Sequence, residues 1–322
     1  MVIVMTTSYQ NIIEILTSKK RLIISGHIDP DADAIGSMLA LYQAFDGAAK
    51  NWLLVAVTPL AADLRFLPGS ELIKSPESID FTPDGLLLVD CTTAKRAGLE
   101  PPESAIPVYC IDHHPAEAAS AQIAVIEPEA SATGEIVSRI ITAAEREINR
   151  DIAMNLYSAI VSDTGGFRYP NTNPEALAIC ADLLEYGLDL EDIRINLFEN
   201  RSLANMYLIG KIFANMQVKM DGRLCVMFFS YEDLLSCGAT QDDCSNMANF
   251  PILLSGVKAG LLFEEHADYV KVSLRGRKGY AVNEIAKSFG GGGHMYAAGC
   301  IIDGCLDEVM PKVVARVEEA FT

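Results

Sequence analysis

The chain has 322 residues, 50% of them apolar and 21% charged, and its formal net charge is −18. This composition excludes an intrinsically disordered chain, and the length suffices for two domains that each bury a core. The acidic balance excludes a protein that grips long nucleic acid by its backbone, whereas small anionic substrates remain compatible with it because local cations dominate at short range.

The location of the protein is indicated by its N-terminal residues and its cysteines. The first residues have no basic segment and no cleavage site of a signal peptide, and no apolar run reaches the length of a membrane span. The eight cysteines are scattered, without a Cys-x-x-Cys pair. We therefore expect reduced cysteines in a cytoplasmic protein.

The first 200 residues combine helices with nearly continuous apolar strands, a pattern that indicates a parallel sheet with helices on both faces. A first helix is predicted over residues 9–19 and a helical region over 132–200. The predicted strands are 22–25, 53–57, 86–89, 108–111 and 123–126. The predicted fold class is α/β.

The pattern changes after residue 200, where strands return in a smaller α/β region. Its predicted strands are 224–229, 259–264 and 269–274, and its predicted helices are 281–288 and 306–321. We place a first domain at 1–200, a connecting helix at 201–218 and a second domain at 219–322.

The stretch from Gly26 to Ser37 lies at a predicted strand-to-helix turn and carries one histidine and three aspartates. Turns of this kind bind ligands in parallel α/β proteins. Carboxylates this close repel one another unless a cation lies between them. The alternative is that Asp29, Asp31 and Asp33 only cap the helix and shape the turn.

Similar side chains follow two further predicted strands. Asp90 comes directly after one strand and Asp112-His113-His114 after another, while Asp163 ends a helical run. The tips of parallel strands share one edge of a sheet, so these groups are expected to meet. Carboxylates mixed with imidazoles suit Mn²⁺, Fe²⁺ or Zn²⁺, and the excess of carboxylates favours Mn²⁺. Two ions ~3.5–4 Å apart would clamp the attacking and leaving oxygens of a phosphate ester.

These segments, in order, resemble the four motifs of the DHH phosphoesterase superfamily, with His27-x-x-x-Asp31-x-Asp33-x-x-Gly36-Ser37 as the first. The later Gly290-Gly291-Gly292-Gly293-His294, with Ala297-Ala298-Gly299, resembles a DHHA1 substrate-binding domain. The resemblance covers nearly the whole chain and is strongest to the nanoRNase (oligoribonuclease)/PAP-phosphatase branch. RecJ-type exonucleases usually carry extra domains, and family II inorganic pyrophosphatases have a different second domain.

The resemblance implies two divalent ions per chain, Mn²⁺ in the first place and Mg²⁺ or Co²⁺ as alternatives. One ion would be held by His27, Asp31 and Asp90, and the other by Asp33, Asp90, His113 and Asp163. Asp90 would bridge the ions. His114 would contact the phosphate or the leaving oxygen, Asp112 would orient a ligand histidine, and Asp29 falls outside the ligand pattern.

The glycine run has two interpretations. It is either a flexible loop or a segment whose backbone N–H groups approach an anion closely, with His294 as a further donor. The resemblance favours substrate binding by Gly291, Gly292, Gly293 and His294. The side chains of Arg168 and Arg275 are candidate anion contacts, and that of Arg277 a weaker one, although exposed arginines are often only solvated.

The resemblance thus implies a hydrolase that degrades short oligoribonucleotides, 3′-phosphoadenosine 5′-phosphate (PAP), or both, by a two-metal hydroxide attack. The alternatives are a phosphodiesterase for cyclic or linear dinucleotides such as c-di-AMP and pApA, and a non-catalytic nucleotide-binding regulator. The expected partners are small nucleotides or short oligonucleotides, without long duplexes or membranes. A homodimer remains open.

Overall fold

The computed structural model describes residues 9–99, 106–115, 121–244 and 247–321. The chain forms two compact units, Met1–Asn200 and Arg201–Thr322. The helix Leu203–Ala214, which lies in the predicted connecting segment, belongs to the second unit. Within the described ranges, no helix is long and apolar enough to cross a membrane.

A six-stranded sheet forms the centre of the first unit, and all of its strand pairs are parallel. Strands β1 to β6 are Leu22–Ser25, Leu53–Val55, Ile73–Lys74, Gly85–Val89, Val108–Asp112 and Ile123–Ile126. Their spatial order is β3-β2-β1-β4-β5-β6. The direction of progression reverses between β1 and β4, and open α/β sheets bind ligands at such a reversal, beside the carboxyl ends of the strands.

Apolar side chains alternate between the two faces of this sheet, as the strand period of two requires. Ile24 and Leu87 lie in the main core of the unit, whereas Ile23 and Leu86 point into a smaller cluster on the opposite face. Complete burial of a leucine or isoleucine side chain contributes about 1.5–3 kcal/mol to folding. The apolar strands predicted from the sequence are therefore buried on both sides.

The helices of the first unit cover the main-core face. Helices α1 to α6 are Tyr9–Ser18, Ala32–Ala44, Thr133–Ala143, Arg150–Asp163, Pro174–Leu184 and Leu190–Arg194. Helices α2 and α4 pack closely at Gly36, where a Cβ atom would lie 2.4 Å from the backbone oxygen of Asn155. This contact fixes the helix that begins within the acidic turn against the helix that ends at Asp163.

The predicted α/β class with a parallel sheet is confirmed. The second face of the sheet differs from the main-core face, which helices cover. It is covered by loop and turn residues that include Phe81, Ala94 and Leu99. These residues belong to the segments on either side of β4. Their packing buries Leu86 and Leu88 without a long helix over that cluster in the described residues.

The second unit has a mixed six-stranded sheet in the order β11-β12-β10-β9-β8-β7. Its strands β7 to β12 are Gln217–Lys219, Leu224–Phe229, Ala259–Glu265, Tyr269–Gly276, Gly292–His294 and Ala297–Asp303. Its helices α7 to α10 are Leu203–Ala214, Tyr231–Ser236, Asn283–Ser288 and Leu306–Phe321. Two apolar clusters lie on opposite faces of the sheet, one with α9 and α10 and one with α7 and α8. The smaller α/β region is confirmed, although the sequence did not predict β7, β11 or β12.

Candidate metal centre

The site lies at the carboxyl edge of the first sheet, around the reversal between β1 and β4. His27 follows β1, Asp90 follows β4, and His113 follows β5. Parallel pairing in register aligns these strand ends, with Ser25 opposite Leu88. Residues that are distant in sequence therefore meet at one edge of the sheet.

Asp90 occupies the centre of the cluster. It is 2% exposed, and its φ of +59° lies in the left-handed region, which costs a non-glycine residue roughly 1–2 kcal/mol. Its Oδ2 lies 3.4 Å from Nε2 of His27, while its Oδ1 lies 3.7 Å from Nε2 of His113. The two oxygens of one carboxylate thus face two different histidines.

Asp33 is buried in the first turn of α2, with Oδ2 at 3.9 Å from Nε2 of His113. The backbone N–H groups of Thr133 and Gly134 donate to its two carboxylate oxygens over 2.7 and 2.8 Å. Helix α3 has no side-chain cap at its own N-cap residue, Ala132. Asp33 supplies that cap from a different helix, and this contact holds its carboxylate in place.

Asp163, the last residue of α4, brings a further carboxylate oxygen to 3.6 Å from Nε2 of His113. The side-chain amide of Asn171 donates to Asp163 Oδ2 over 3.1 Å and to the backbone oxygen of Ser131 over 2.8 Å. Asn171 therefore orients the carboxylate of Asp163. The sequence motifs did not point to Asn171.

The acidic turn separates into residues with different surroundings. Oδ1 of Asp31 accepts from the backbone N–H groups of Asp33 and Ala34, so Asp31 caps α2 as well as facing the cluster. Asp29 is exposed with a φ of +53°, and its backbone N–H donates to the hydroxyl of Thr58. Its position fits the role of a turn former.

Asp112 is fully buried, and its Oδ1 lies 2.8 Å from Nδ1 of His114 and accepts from the backbone N–H of that residue. Nδ1 of His113 lies instead 3.3 Å from the backbone oxygen of Ala130. The histidine that Asp112 orients is therefore His114, and a carbonyl oxygen faces the ring of His113.

The donor atoms are close enough to hold cations. Three sets of three residues each offer atoms that all lie within 4.8 Å of one another. These sets are His27, Asp31 and Asp90; Asp33, His113 and Asp163; and Asp90, His113 and His114. Imidazole nitrogens with carboxylate oxygens suit divalent transition metals, and Asp90 occurs in two of the sets. The residues present thus fit a divalent metal centre.

The carboxylates of the site perturb one another. Burial, together with the charges of Asp90 and Asp163, raises the pKa of Asp33 well above its ordinary value. Burial also raises the pKa of Asp163 to about 6. Burial alone would raise the pKa of Asp90 too, but hydrogen bonds with His114 and His27 lower it below the usual range. The cluster therefore favours bound positive charge.

The pKa values of two histidines of the site are raised as well. Burial alone would lower the pKa of His27, but the hydrogen bond to Asp90 and the charge of Asp31 raise it to about 9. Burial would likewise lower the pKa of His114, yet hydrogen bonds to Asp112 and Asp90 raise it to about 10. Protonated imidazoles thus balance the carboxylates when no metal is bound.

The arginines singled out from the sequence differ in what they bind. Nε of Arg277 donates to the backbone oxygen of Val257, and its Nη2 donates to that of Ile252. Nε of Arg275 donates to Oδ1 of Asn249 over 2.7 Å. Nη1 of Arg275 also donates to the backbone oxygen of Leu274 over 3.1 Å. The guanidinium of Arg277 therefore stabilises a loop of the second unit, whereas that of Arg275 contacts the side chain of Asn249 and a backbone oxygen of its own strand.

Arg168 lies in the first unit, shortly after Asp163. It is exposed, and its Nε donates to the backbone oxygen of Gly165 over 2.6 Å. The three residues directly before Arg168 all have positive φ values; they are Gly165, Gly166 and Phe167. This left-handed turn follows the C-terminal end of α4, so Arg168 comes shortly after the carboxylate that faces His113.

The glycine run is partly a strand. Gly292 and Gly293 lie in β11, so the flexible-loop interpretation is wrong for them. A Cβ on Gly291 would lie 2.1 Å from the backbone oxygen of Gly299, and Gly293 has a φ of +135°. Close packing thus requires a glycine at position 291, and the backbone conformation favours one at position 293. The side chain of His294 lies outside the described part of the structure.

Comparison with known proteins identifies two family domains and related chains. The DHH family, N-terminal domain, matches residues 21–160, and the DHHA1 domain matches residues 221–322. The bifunctional oligoribonuclease and PAP phosphatase NrnA of Thermus thermophilus is 32% identical over 93% of this chain and 90% of its own. NrnA of Bacillus subtilis is 28% identical over 87% and 89%. An exopolyphosphatase-related protein from Bacteroides fragilis superposes with a TM-score of 0.88 at 25% identity, covering 99% and 98% of the two chains.

Proposed function

The chain belongs to the DHH family, with a DHHA1 domain in its C-terminal part, and we propose that it hydrolyses short oligoribonucleotides and PAP. The family membership makes it a phosphoesterase. The substrate assignment rests on the two NrnA relatives, which align over most of this chain and over most of their own length. The observation that carries the proposal is the placement of His27 and His113 on opposite oxygens of Asp90.

We assign two divalent cations to this edge, with Mn²⁺ as the expected ion. His27, Asp31 and Asp90 would hold one, and Asp33, Asp90, His113 and Asp163 would hold the other. When bound, such cations lower the pKa of water and offset the charge that develops on a phosphoryl group. The crowding that raises the pKa values of Asp33 and Asp163 supports this assignment, because a cation relieves the repulsion.

His114 is the residue that we assign to proton transfer. Nδ1 of His114 lies 2.8 Å from Oδ1 of Asp112, and we assign the other ring nitrogen, Nε2, to the phosphate or the leaving oxygen. The raised pKa of His114 keeps a proton on the ring near neutral pH. A protonated imidazole donates to the departing oxygen and stabilises negative charge near it.

The second unit is the proposed substrate-binding domain. In this unit, Arg275, the glycine strand and His294 are the proposed nucleotide contacts. Arg168 is a separate candidate for a phosphate contact in the first unit. An arginine recognises phosphate through two parallel N–H groups. All eight cysteines are thiols rather than disulfides, which supports the cytoplasmic location that we propose.

The experiment is a substrate panel with Mn²⁺ that contains RNAs of roughly two to five nucleotides, PAP, pApA and cyclic dinucleotides. We expect mononucleotides from the short RNAs and free phosphate from PAP. Removal of the cation by a chelator should abolish both activities, since the ligand set requires the ion. Hydrolysis of cyclic dinucleotides alone would contradict the substrate assignment. Binding of nucleotides without hydrolysis of any of them would contradict catalysis.

A further inference from the structure

Thr133 joins the cluster through its side chain, although no ligand motif includes it. It is the first residue of α3 and has no exposed surface. Its hydroxyl donates to Oδ1 of Asp90 over 2.9 Å. This contact reaches the oxygen that faces His113 rather than the one that faces His27.

The backbone of the same residue contacts a second carboxylate. The N–H of Thr133 donates to Oδ2 of Asp33 over 2.7 Å, and the next N–H, of Gly134, donates to Oδ1. One residue at the start of a packed helix therefore sets the positions of Asp90 and Asp33 relative to each other. The helix is anchored in the core by Ile136 and Ile140, so this reference point is rigid.

His27 and His113 cannot provide the same support to Asp90 once a cation is bound. Nδ1 of His114 also lies 3.4 Å from Oδ1 of Asp90, but it lies closer to Oδ1 of Asp112, at 2.8 Å. His27 and His113 approach Asp90 with Nε2, which is also the nitrogen they would offer to a metal. A nitrogen that ligates a metal no longer carries a hydrogen to donate. The hydroxyl of Thr133 keeps its hydrogen whether or not an ion is present.

The backbone conformation of Asp90 makes such support necessary. Asp90 follows the last residue of β4 and has a left-handed φ. A non-glycine residue keeps such a conformation only where its surroundings fix it. A carboxylate that ligates a metal is generally hydrogen-bonded by an outer residue that orients it. The hydroxyl of Thr133 meets that description for Asp90, and its 2.9 Å contact is shorter than the 3.4 Å between Nδ1 of His114 and the same oxygen.

We propose that Thr133 is a positioning residue that fixes the carboxylate of Asp90 for metal binding and sets its distance from Asp33. The inference rests on the proposed function, because it assumes that Asp90 and Asp33 ligate divalent cations. It adds a residue outside the ligand set that controls the affinity for the ions without contacting the substrate.

The test is a Mn²⁺ titration of the full chain. Binding is measured by calorimetry and, independently, by the electron paramagnetic resonance signal of the free Mn²⁺. Thr133→Val removes the hydroxyl and keeps the backbone N–H, whereas Thr133→Ser keeps both. We expect the Val variant to bind Mn²⁺ about 10–100-fold more weakly and the Ser variant to bind like the wild type. At limiting Mn²⁺, kcat should fall in the Val variant while KM for PAP stays unchanged.

The matched control is Thr142→Val, which makes the same exchange at an exposed position of the same helix and should leave Mn²⁺ affinity unchanged. Thermal unfolding of the metal-free variants separates binding from folding. If Thr133→Val does not fold, Thr133→Ala replaces it, because Ala lacks the γ-methyl group that Val would place where the hydroxyl contacts Asp90.

Wild-type Mn²⁺ affinity in the folded Val or Ala variant would overturn this inference, whatever its melting temperature. It would leave the proposed function intact. A wild-type chain that binds no Mn²⁺ would instead overturn the proposed function, and the inference with it. Weak binding in the Val variant with recovery in the Ser variant would support both.

Discussion

Nε2 of His27 lies 3.4 Å from Oδ2 of Asp90. The two residues follow the adjacent parallel strands β1 and β4, so this contact links the ends of the two strands. The other oxygen of Asp90 faces His113 at 3.7 Å. Since the two oxygens face two different histidines of the proposed ligand set, we propose that two cations share this carboxylate. The predictions below test this arrangement and the roles of its neighbours.

Mn²⁺ binding should release protons near neutral pH. The pKa of His27 is raised to about 9, so its ring carries a proton that a metal must displace. Apparent affinity should therefore rise with pH up to about 9, by roughly tenfold per unit for each proton displaced, and then level off. Calorimetry in two buffers of different ionisation enthalpy measures the release, which His27→Asn should reduce by about one proton. Affinity that is independent of pH over this range would contradict the assignment.

The same shift links stability to pH in the metal-free chain. The folded-state pKa of His27 exceeds its unfolded-state value of about 6.5. Its contribution to stability is therefore fully present below about 6.5 and is lost as the pH rises through about 9. Melting temperatures measured across this window should decline with pH in the wild type and decline less in His27→Asn.

Asp31 and Asp29 form a matched pair within the acidic turn. Asp31→Asn should lower Mn²⁺ affinity by about tenfold or more, because a charged ligand is lost. Its melting temperature without metal should change little, since Asn caps a helix about as well as Asp. Asp29→Asn makes the same exchange at an exposed residue whose left-handed backbone Asn tolerates, and it should bind Mn²⁺ like the wild type. Equal losses in the two variants would contradict the assigned ligand set.

The arginines of the second unit should separate substrate binding from folding. Arg275→Lys should raise KM for PAP about tenfold or more, because lysine cannot form the paired hydrogen bonds of a guanidinium. Arg277→Lys should lower the melting temperature and leave KM unchanged, since Arg277 holds two backbone carbonyl oxygens. Steady-state kinetics and thermal unfolding of both variants check this. A larger KM effect at Arg277 would reverse the assignment.

Much of the first unit followed from local sequence pattern. The apolar runs that contain Ile24 and Leu87 predicted buried parallel strands, and the polar residues after them, His27 and Asp90, predicted one ligand-binding edge. This inference succeeds because parallel strands bring their carboxyl ends together whatever the loops between them do. The family motifs then distinguished the ligand candidates from Asp29.

Contacts between distant segments were not predictable from one sequence. The bonds from Thr133 to Asp33 and Asp90, and from Asn171 to Asp163, depend on how helices pack, and neither donor has a local signature. Strand β11 was not predicted because consecutive glycines are typical of loops. In the structure, the backbone packs so closely at Gly291, just before this strand, that only a glycine fits there.

The most direct test of the central claim is to count the Mn²⁺ ions bound by Asp90→Asn and to measure its hydrolysis of PAP. The shared-carboxylate arrangement predicts two ions per chain in the wild type and loss of tight binding of both in the variant. Turnover should fall by about 100-fold or more, because loss of the ions removes several kcal/mol of transition-state stabilisation. A variant that keeps both ions and wild-type turnover would show that Asp90 does not join them.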